Sequence, residues 1–343
     1  MAGISIKDVA SRAGVSVGTV SNVLNRPASV SEETRLRVQA AINQLGFVRS
    51  ESARQLRAGA SRIVALLVLD MRNPFFVDVA SGAERAARKA GLGVMVCNSA
   101  QDPADEADYL AMFAEQRVRG VLVTPADASG VNLGALQAQG IPYVLVDRVS
   151  AGADVCSVSV DDVAGGRLAA RHLLAGGHRS IAYVAGPPTL PQVRDRRTGV
   201  LAALAEAGLG ADALTEVTAQ RLDVAAGRDA GARLLGMDPR PTAVFCVNDL
   251  LALGVLQTLF AAGVRIPDEV SLVGYDDIEF AAAAAVPLTS VRQPALDMGR
   301  QAAEMLIEET GPGKAGHRHR QVVLQPELVV RRSSTARRPA PGL

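Results

Sequence analysis

Apolar residues recur at helical spacing over residues 5–14, 16–25 and 31–46. Each stretch opens on a serine, a residue type that caps helix N-termini well. Gly14 and Gly46 suit helix ends, because glycine adopts the left-handed conformation without strain. The pattern predicts three short helices, the first two joined by a tight turn. This is typical of a helix-turn-helix unit, although an ordinary three-helix bundle would have the same pattern.

Beyond residue 62 the pattern changes to short apolar runs that alternate with alanine-rich stretches of helical periodicity. Runs that are apolar throughout indicate strands buried on both faces, as in a parallel sheet with helices on each side. The runs form two series, with a break near 157–161 and a point near 288–294 where the chain could cross back. We therefore predict an α/β body of two lobes with a cleft between them. The runs are Ile63–Asp70, Gly93–Ser99, Gly120–Thr124, Tyr143–Asp147, Ser180–Gly186, Ala243–Asn248 and Val270–Asp276.

Nearly every run ends in a side chain that can form hydrogen bonds. Open α/β sheets bind ligands beyond the carboxyl ends of their strands, so these side chains predict a polar cleft for a small polyhydroxylated or charged ligand. Phe75 could stack there on a sugar or base face, or pack in the core, whereas Phe76 is expected in the core. The polar residues at the strand ends are Asp70, Asn98, Thr124, Asp147, Arg148, Asn248, Asp249, Asp276 and Asp277.

Composition narrows the class of protein. With 48% hydrophobic and 21% charged positions in 343 residues, a wholly disordered chain is excluded. No apolar run reaches about 18 residues, so no membrane span is expected. The N-terminus lacks a signal pattern, so a cytoplasmic location is predicted. The net charge of +1 is uneven: residues 1–62 hold nine Lys or Arg and four Asp or Glu, which leaves this segment at +5 and the rest at −4. A basic head on a mildly acidic body suggests a module that binds a polyanion.

Motifs of common enzyme classes do not occur in the sequence. It has no phosphate-binding loop, no glycine-rich dinucleotide fingerprint after the first strand and no nucleophile elbow. His317 and His319 alternate in a basic surface segment, which is a weak metal signal. Cys97, Cys156 and Cys246 are interpreted as inert core thiols. We therefore predict no cofactor, no metal and no enzymatic activity.

The second predicted helix is the usual major-groove reader of a helix-turn-helix unit, with its N-terminal residues facing the base edges. Asn22 could bond an adenine, and Val17 could contact a thymine methyl group. Thr19 suits a phosphate contact or a helix cap. The candidate DNA-contacting residues of this helix are Ser16, Val17, Gly18, Thr19, Ser21 and Asn22.

The segment IKDVASRAGVSVGTVSNVLN over residues 6–25 resembles the DNA-binding head of the LacI/GalR family of bacterial transcription regulators. The sequence SARQL at 52–56 resembles the hinge helix of the same family. This resemblance implies that Leu56 wedges into the central base step from the minor groove, with Ala53 beside it, as apolar side chains do in other proteins that kink DNA. Without the resemblance, Leu56 would be interpreted as a linker residue docked on the core.

The body also resembles this family, so the likeness extends from about Ile4 to Ser334. The motifs that carry it lie at 158–178, 241–249, 270–277 and 287–294. The resemblance implies that a small effector binds in the cleft. Carried over to this chain, the effector contacts fall on Phe75, Arg148, Asp161, Arg196, Asn248 and Asp276.

Two of these assignments are open. Asp161 could instead be a helix cap or a hinge residue. Arg194 or Arg197 could take the place of Arg196, whose guanidinium would suit a carboxylate or a pair of hydroxyls. Leu222 occupies the position where the family often has an aromatic lid, which counts against a purine. A sugar or sugar derivative is therefore the expected effector.

The resemblance implies a multidomain chain: an all-α helix-turn-helix head and hinge helix, then an α/β effector domain of two lobes like that of periplasmic binding proteins. The expected function is a ligand-responsive repressor of carbohydrate-uptake or catabolic genes. It would bind a palindromic operator in double-stranded DNA as a homodimer, with no membrane partner. The alternative is a two-lobed sugar-binding protein or an enzyme on the same scaffold, which would need no helix-turn-helix head.

The same resemblance sets the expected domain bounds. They are 1–47 for the head, 48–61 for the hinge, 62–334 for the effector-binding and dimerisation domain, and 335–343 for a tail. The expected lobe bounds are about 62–157 plus 290–320 for the first lobe, and about 158–289 plus 321–334 for the second.

Overall fold

The structure is a computed structural model that describes residues 4–47, 61–126, 130–150, 152, 154–312 and 314–334. The chain divides into two units, Met1–Ser61 and Arg62–Leu343. Within the described ranges, no helix is long and apolar enough to cross a membrane.

Residues 4–47, the part of the first unit that the structure describes up to residue 60, contain three helices, as the sequence pattern predicts. They are α1 (Ile6–Ala13), α2 (Val17–Asn25) and α3 (Glu32–Leu45), with a short 3-10 turn at Pro27–Ser29. Gly14 ends α1 at a φ of 65°, where any side chain would add strain, so the turn into α2 requires glycine. Val9, Val20 and Val38, one from each helix, are fully buried and form the centre of this small core.

Two six-stranded sheets, each flanked by helices, form the second unit and confirm the predicted α/β fold class. The strands are β1 (Ile63–Val68), β2 (Gly93–Asn98), β3 (Gly120–Val123), β4 (Tyr143–Val146), β5 (Cys156–Val160), β6 (Ile181–Ala185), β7 (Leu214–Thr218), β8 (Ala243–Cys246), β9 (Ser271–Asp276), β10 (Thr289–Arg292), β11 (Gln321–Leu324) and β12 (Glu327–Val329). The helices are α4 (Pro74–Lys89), α5 (Pro103–Glu115), α6 (Gly134–Ala138), α7 (Asp162–Ala175), α8 (Pro191–Glu206), α9 (Val224–Leu235), α10 (Asp249–Ala261), α11 (Glu279–Ala283) and α12 (Ala295–Thr310).

The two sheets define two lobes. The first sheet has the order β11-β5-β4-β3-β1-β2 and the second the order β12-β10-β9-β8-β6-β7. Every pairing between these strands is parallel except that of β12 with β10. Because parallel strands end on the same edge of a sheet, the polar residues that follow them gather on the edge facing the cleft.

The chain passes between the lobes after β5, after β10 and after β11. The expected lobe bounds at 157, 289 and 320 placed these passages three or four residues too early. Strands β5 and β11 belong to the first sheet and β10 to the second, since each completes its pairing before the chain leaves. All three connections therefore emerge at the carboxyl ends of strands, beside the cleft.

Glycines let three pairs of helices touch backbone to backbone. A Cβ atom on Gly82 of α4 would lie 2.0 Å from the Leu296 carbonyl oxygen of α12, and one on Gly199 of α8 would lie 2.1 Å from the Val163 oxygen of α7. Gly254 packs α10 against α9 in the same way, 2.2 Å from a backbone oxygen. Each lobe is thus a closely packed body, because interiors at this density leave no room for an added methyl group.

Candidate functional site

Helix α2 exposes its N-terminal face. Ser16, Val17, Gly18 and Asn22 are accessible there, whereas Val20 on the inner face is fully buried. Val17 is 39% exposed, although it is an apolar β-branched residue. An exposed valine and an accessible asparagine on the same helix suit a surface that reads base edges, where methyl contacts and amide hydrogen bonds both discriminate.

Two other residues predicted on this helix have partners within it. The Thr19 backbone amide donates to the hydroxyl of Ser16, the N-cap residue, at 3.0 Å. Of the two roles expected for Thr19, a phosphate contact or a part in the helix cap, the structure shows the second. Asn25 Nδ2 donates to the backbone oxygen and the hydroxyl of Ser21, at 2.7 and 3.2 Å. Ala53 and Leu56, predicted for the minor groove, lie outside the described residues.

A cavity lies between the two lobes, at the carboxyl ends of the strands. Four of the residues predicted to contact an effector line it together, namely Phe75, Arg196, Asn248 and Asp276. Its wall also includes Asn73, Asp147, Gln192, Leu222 and Gln293.

Arg196 on α8 is 5% exposed and is held on several sides. Its Nε donates to Asp162 Oδ1 at 2.7 Å, its Nη1 donates to the Val247 carbonyl at 2.6 Å, and its guanidinium lies 3.6 Å from the centroid of the Tyr275 ring. Burial lowers the pKa of Arg196, but the attraction of Asp162 and other acidic groups outweighs it, so the pKa is raised overall and the side chain stays charged. Arg197 instead pairs with an exposed glutamate of β7, so Arg196 is the one that lines the cavity.

Buried aspartates of the two lobes accept hydrogen bonds across the cleft. Asp276 of the second lobe accepts from Asn73 Nδ2 of the first at 2.8 Å, and also from Gln293 Nε2 at 2.7 Å. Asp147 of the first lobe accepts from Gln192 Nε2 of the second at 2.9 Å. The bonds that join one lobe to the other must break if the lobes are to separate.

Burial raises the pKa of both cleft aspartates. For Asp147, burial and the repulsion of Asp162 raise the pKa to about 8. For Asp276, burial raises the pKa only to about 6, because the attraction of Arg196 and two amide hydrogen bonds oppose the effect of burial. At neutral pH, Asp147 is therefore mostly protonated in this arrangement, whereas Asp276 is mostly ionised.

Both aspartates also have an unusual backbone conformation. The φ angle is 57° at Asp147, directly after β4, and 102° at Asp276, the last residue of β9. A residue with a side chain adopts positive φ at a cost of about 1–2 kcal/mol, which is typical of functional sites. Asp147 lines the cavity but was not among the predicted effector contacts, because the family resemblance pointed to the next position, Arg148. The signal for it was a polar side chain at the end of an apolar run.

Arg148 and Asp161 are not part of the cavity wall in the described structure. Asp161 is the N-cap of α7, where its Oδ1 accepts from the Ala164 amide at 2.8 Å, so the capping role that the sequence left open is the one observed. Arg148 is half-buried. A contact of either residue with an effector stays a prediction.

Asn248 connects two parts of the second lobe. It caps α10 by accepting from the Leu251 amide at 2.9 Å, and its Nδ2 donates to the Leu222 carbonyl at 3.2 Å. Leu222 packs closely over Gly186, where an added Cβ would lie 2.3 Å from Leu222 Cδ2. Asn248 therefore fixes the position of an aliphatic part of the cavity wall.

Three buried oxygens on the wall have no hydrogen-bond partner in the described part of the chain. They are Asp147 Oδ1, Gln192 Oε1 and Gln293 Oε1. A buried polar atom without a partner costs about 1–3 kcal/mol. The two amide oxygens can only accept, whereas Asp147 Oδ1 can carry the carboxyl proton, so the cavity favours a ligand with several groups that both donate and accept hydrogen bonds. Phe75 adds an aromatic wall, with its ring edge-on to the neighbouring phenylalanine at 5.0 Å.

Comparison with known proteins gives the same organisation. Residues 5–50 match the family described as bacterial regulatory proteins, lacI family, and residues 170–334 match a periplasmic binding protein-like domain. An HTH-type transcriptional repressor PurR of Photobacterium profundum is 34% identical over 330 residues, which are 96% of this chain and 98% of that protein. A solved transcriptional regulator CelR–cellobiose complex is 31% identical at a TM-score of 0.72, covering 96% of this chain and 100% of the other. A lac repressor dimer bound to operator and the anti-inducer ONPF is 25% identical at a TM-score of 0.82, covering 98% and 100%.

Proposed function

The chain belongs to the lacI family of bacterial regulatory proteins, and we infer that it is a ligand-responsive DNA-binding repressor rather than an enzyme. On this premise we propose that its effector is a sugar or sugar derivative, that it binds a palindromic operator as a homodimer, and that it controls genes of carbohydrate uptake or breakdown.

The three unpartnered oxygens of the cleft are the observation that carries the ligand class. A sugar offers several hydroxyl donors within a few ångströms of one another, and Asp276 is a further acceptor on the same wall. The apolar face of a sugar ring can stack on Phe75. The likeness to a regulator solved with cellobiose supports the same class.

A purine is the second candidate and has less support from the wall. A planar base binds best between two flat surfaces, and the second lobe offers aliphatic Leu222 where another ring would be needed. Because relatives at 34% identity are named PurR, purines are included in the ligand test below.

The DNA contacts follow from the exposed face of α2. Asn22 and Val17 would read base edges in one half-site, and a second copy of the chain would read the other. The dimer is supported by the solved lac repressor dimer on its operator. Two-fold protein symmetry then requires a palindromic operator. Leu56 and Ala53 would enter the minor groove at the centre of the operator.

Effector binding would act through the lobes. A ligand that satisfies the unpartnered oxygens stabilises the arrangement in which the two lobes meet, and it can shift the equilibrium only by its differential affinity for the two states. A coupling of about 1–3 kcal/mol between cleft and operator would suffice for regulation.

The ligand class is tested by thermal unfolding of the purified full chain with a panel of mono- and disaccharides and purine bases. We expect a sugar to raise the Tm, and the Gln293→Ala variant to lose that increase. Gln139→Ala, which removes an exposed amide outside the cavity, is the matched control. A shift with a purine alone would refute the sugar assignment and leave the repressor function intact.

The operator is tested by selection from a random duplex pool at near-physiological salt, with and without the ligand found. Enrichment of a palindrome, together with a dimeric mass in solution, is the expected result. Enrichment of a single half-site by a monomer would overturn the dimer proposal.

A further inference from the structure

Four side chains with metal-binding atoms meet at the edge of the first sheet opposite the cleft. They are Cys156 at the start of β5, Glu309 in the last turn of α12, and His317 and His319 in the loop that leads into β11. Their Sγ, carboxylate oxygen and ring nitrogens all lie within 4.8 Å of one another. We propose that these four residues form a tetrahedral Zn²⁺ site.

The distances between the ligand atoms match such a site. Zinc bonds of about 2.3 Å to sulfur and about 2.0–2.2 Å to nitrogen or oxygen place tetrahedral S and N ligands about 3.6 Å apart, and N and O ligands about 3.4 Å apart. Cys156 Sγ lies 3.4 Å from His317 Nε2 and 3.7 Å from His319 Nδ1. His317 Nε2 lies 3.8 Å from Glu309 Oε2. These three distances lie within a few tenths of an ångström of the expected values, whereas the other pairs of ligand atoms are only known to lie within 4.8 Å, so the side chains would have to draw together around the ion.

Two of the four residues contain a buried polar atom that lacks a hydrogen-bond partner within the described ranges, namely Glu309 Oε2 and His317 Nδ1. The His317 side chain is only 4% exposed, so water has little access to it. Zn²⁺ would bind the orphaned carboxylate oxygen directly. A buried carboxylate oxygen without a partner is otherwise costly, which points to a cation at this position.

The groups around the cluster resemble the support that zinc ligands usually have. His317 Nδ1, on the side of the ring away from the cluster, lies 4.0 Å from Glu308 Oε2. Glu308 is held in turn by Arg320 at 2.7 and 3.1 Å. The Arg320 amide also donates to Cys156 Sγ at 3.5 Å, which would stabilise a thiolate. At 4.0 Å this carboxylate does not yet hydrogen-bond Nδ1; closer approach of Glu308 would give the carboxylate support that fixes the ring of a ligating histidine and strengthens the ligand.

The ligand set selects among metals. One sulfur, two imidazole nitrogens and one carboxylate oxygen suit Zn²⁺, whereas Mg²⁺ and Ca²⁺ prefer oxygen ligands only. Four protein ligands leave no open position, so the site would be structural rather than catalytic. His319 is exposed and provides the route of entry.

Such a site would tie together three separate parts of the first lobe. It would hold α12, β5 and the 314–320 loop at the amino-terminal edge of the sheet, the same edge at which β1 begins. The interpretation of Cys156 as an inert core thiol then changes, because its sulfur would be a metal ligand.

The test uses the untagged full chain, stripped with a chelator and titrated with ZnCl₂ and, separately, with CoCl₂. We expect one metal ion per chain, a rise in Tm on adding Zn²⁺, and a Co²⁺ spectrum with tetrahedral d–d bands and a thiolate-to-cobalt charge-transfer band. The exposed ligand variant His319→Gln should weaken Zn²⁺ binding at least about tenfold. Cys97→Ser, which removes a thiol of β2 far from the cluster, is the matched control and should bind as the unmodified chain does.

Three results would each overturn the proposal. They are less than one Zn²⁺ per chain at saturation, equal affinity in His319→Gln and the unmodified chain, or a Co²⁺ complex without the thiolate band. A Cys156→Ser variant should lose the thiolate band, and the titration of His319→Gln keeps the test decisive if Cys156→Ser fails to fold.

Discussion

Replacing Asp147 with Asn removes a carboxyl group that the closed cleft holds at a raised pKa. In the unfolded chain this carboxyl has a pKa of 3.8, and burial with repulsion from Asp162 raises it to about 8. Between these two values the folded chain binds a proton that the unfolded chain has released. Stability therefore falls as the pH rises through this window, by about 1.4 kcal/mol per pH unit. An asparagine does not titrate, so the variant lacks this loss.

The free energy of unfolding of Asp147→Asn, relative to the unmodified chain, should rise by about 3 kcal/mol from pH 5 to pH 7. The asparagine oxygen can still accept from Gln192, so the change in packing is small. Urea unfolding at a series of pH values measures the difference, and the slope with pH is more informative than the value at one pH. Asp276→Asn is the matched comparison. Because the pKa of Asp276 is about 6, the free energy of unfolding of this variant, relative to the unmodified chain, should stop rising near pH 6. If the Asp147→Asn difference does not change between pH 5 and pH 7, the carboxyl is not desolvated as described.

The remaining predictions concern DNA, the cleft and packing. Asn22→Ala should weaken binding to the best operator by roughly 1–3 kcal/mol and relax the protein's base preference at one base pair. Binding to single-base operator variants measures both effects. Equal losses on random duplexes would assign Asn22 to phosphate contact or folding. Leu56→Ala should lose operator affinity and retain effector binding in titrations of each; unchanged operator affinity would remove Leu56 from the minor groove. Arg196→Ala leaves Asp162 buried without its cation, so urea unfolding should show a loss of about 3–5 kcal/mol, and the effector should no longer change operator affinity. Gly199→Ala forces α7 and α8 apart and should lower stability by roughly 1–3 kcal/mol, whereas Gly236→Ala, where the nearest atom is 3.6 Å away, should have little effect.

The elements with clear local signals could be predicted from the sequence. Helices α1, α2 and α3 match the predicted stretches, because serine N-caps mark their starts and glycines mark the ends of α1 and α3. Seven apolar runs coincide with strands because most of them are buried on both faces. Strands β5, β7, β10, β11 and β12 were not among the predicted runs. In β7 (Leu214–Thr218), which lies at a sheet edge, Val217 is the one fully buried residue and both threonines and the glutamate are exposed. Local hydrophobicity cannot identify a strand that is stabilised mainly by its pairing.

The cleft could be predicted in outline, but not in its connections. The polar side chains that end the runs gave its location. The lobe-joining hydrogen bond from Asn73 to Asp276 could not be foreseen, because these residues are 203 positions apart. The same holds for Cys156 and His317, 161 positions apart, whose proximity depends on β11 pairing with β5. A residue type can be read from the sequence, whereas a contact over such a distance requires the topology.

The three passages between the lobes have a consequence for the order in which the chain folds. Neither lobe is a continuous segment: the first sheet lacks its edge strand until residues 321–324 are present, and the second lacks β12 until residues 327–329 are present. As the ribosome makes the chain from the N-terminus, the helix-turn-helix unit can fold early, but both sheets stay incomplete until the last few dozen residues emerge. A truncation near residue 310 would thus damage both lobes at once. The cavity is lined by both lobes, so it can form only after nearly all of the second unit has been made.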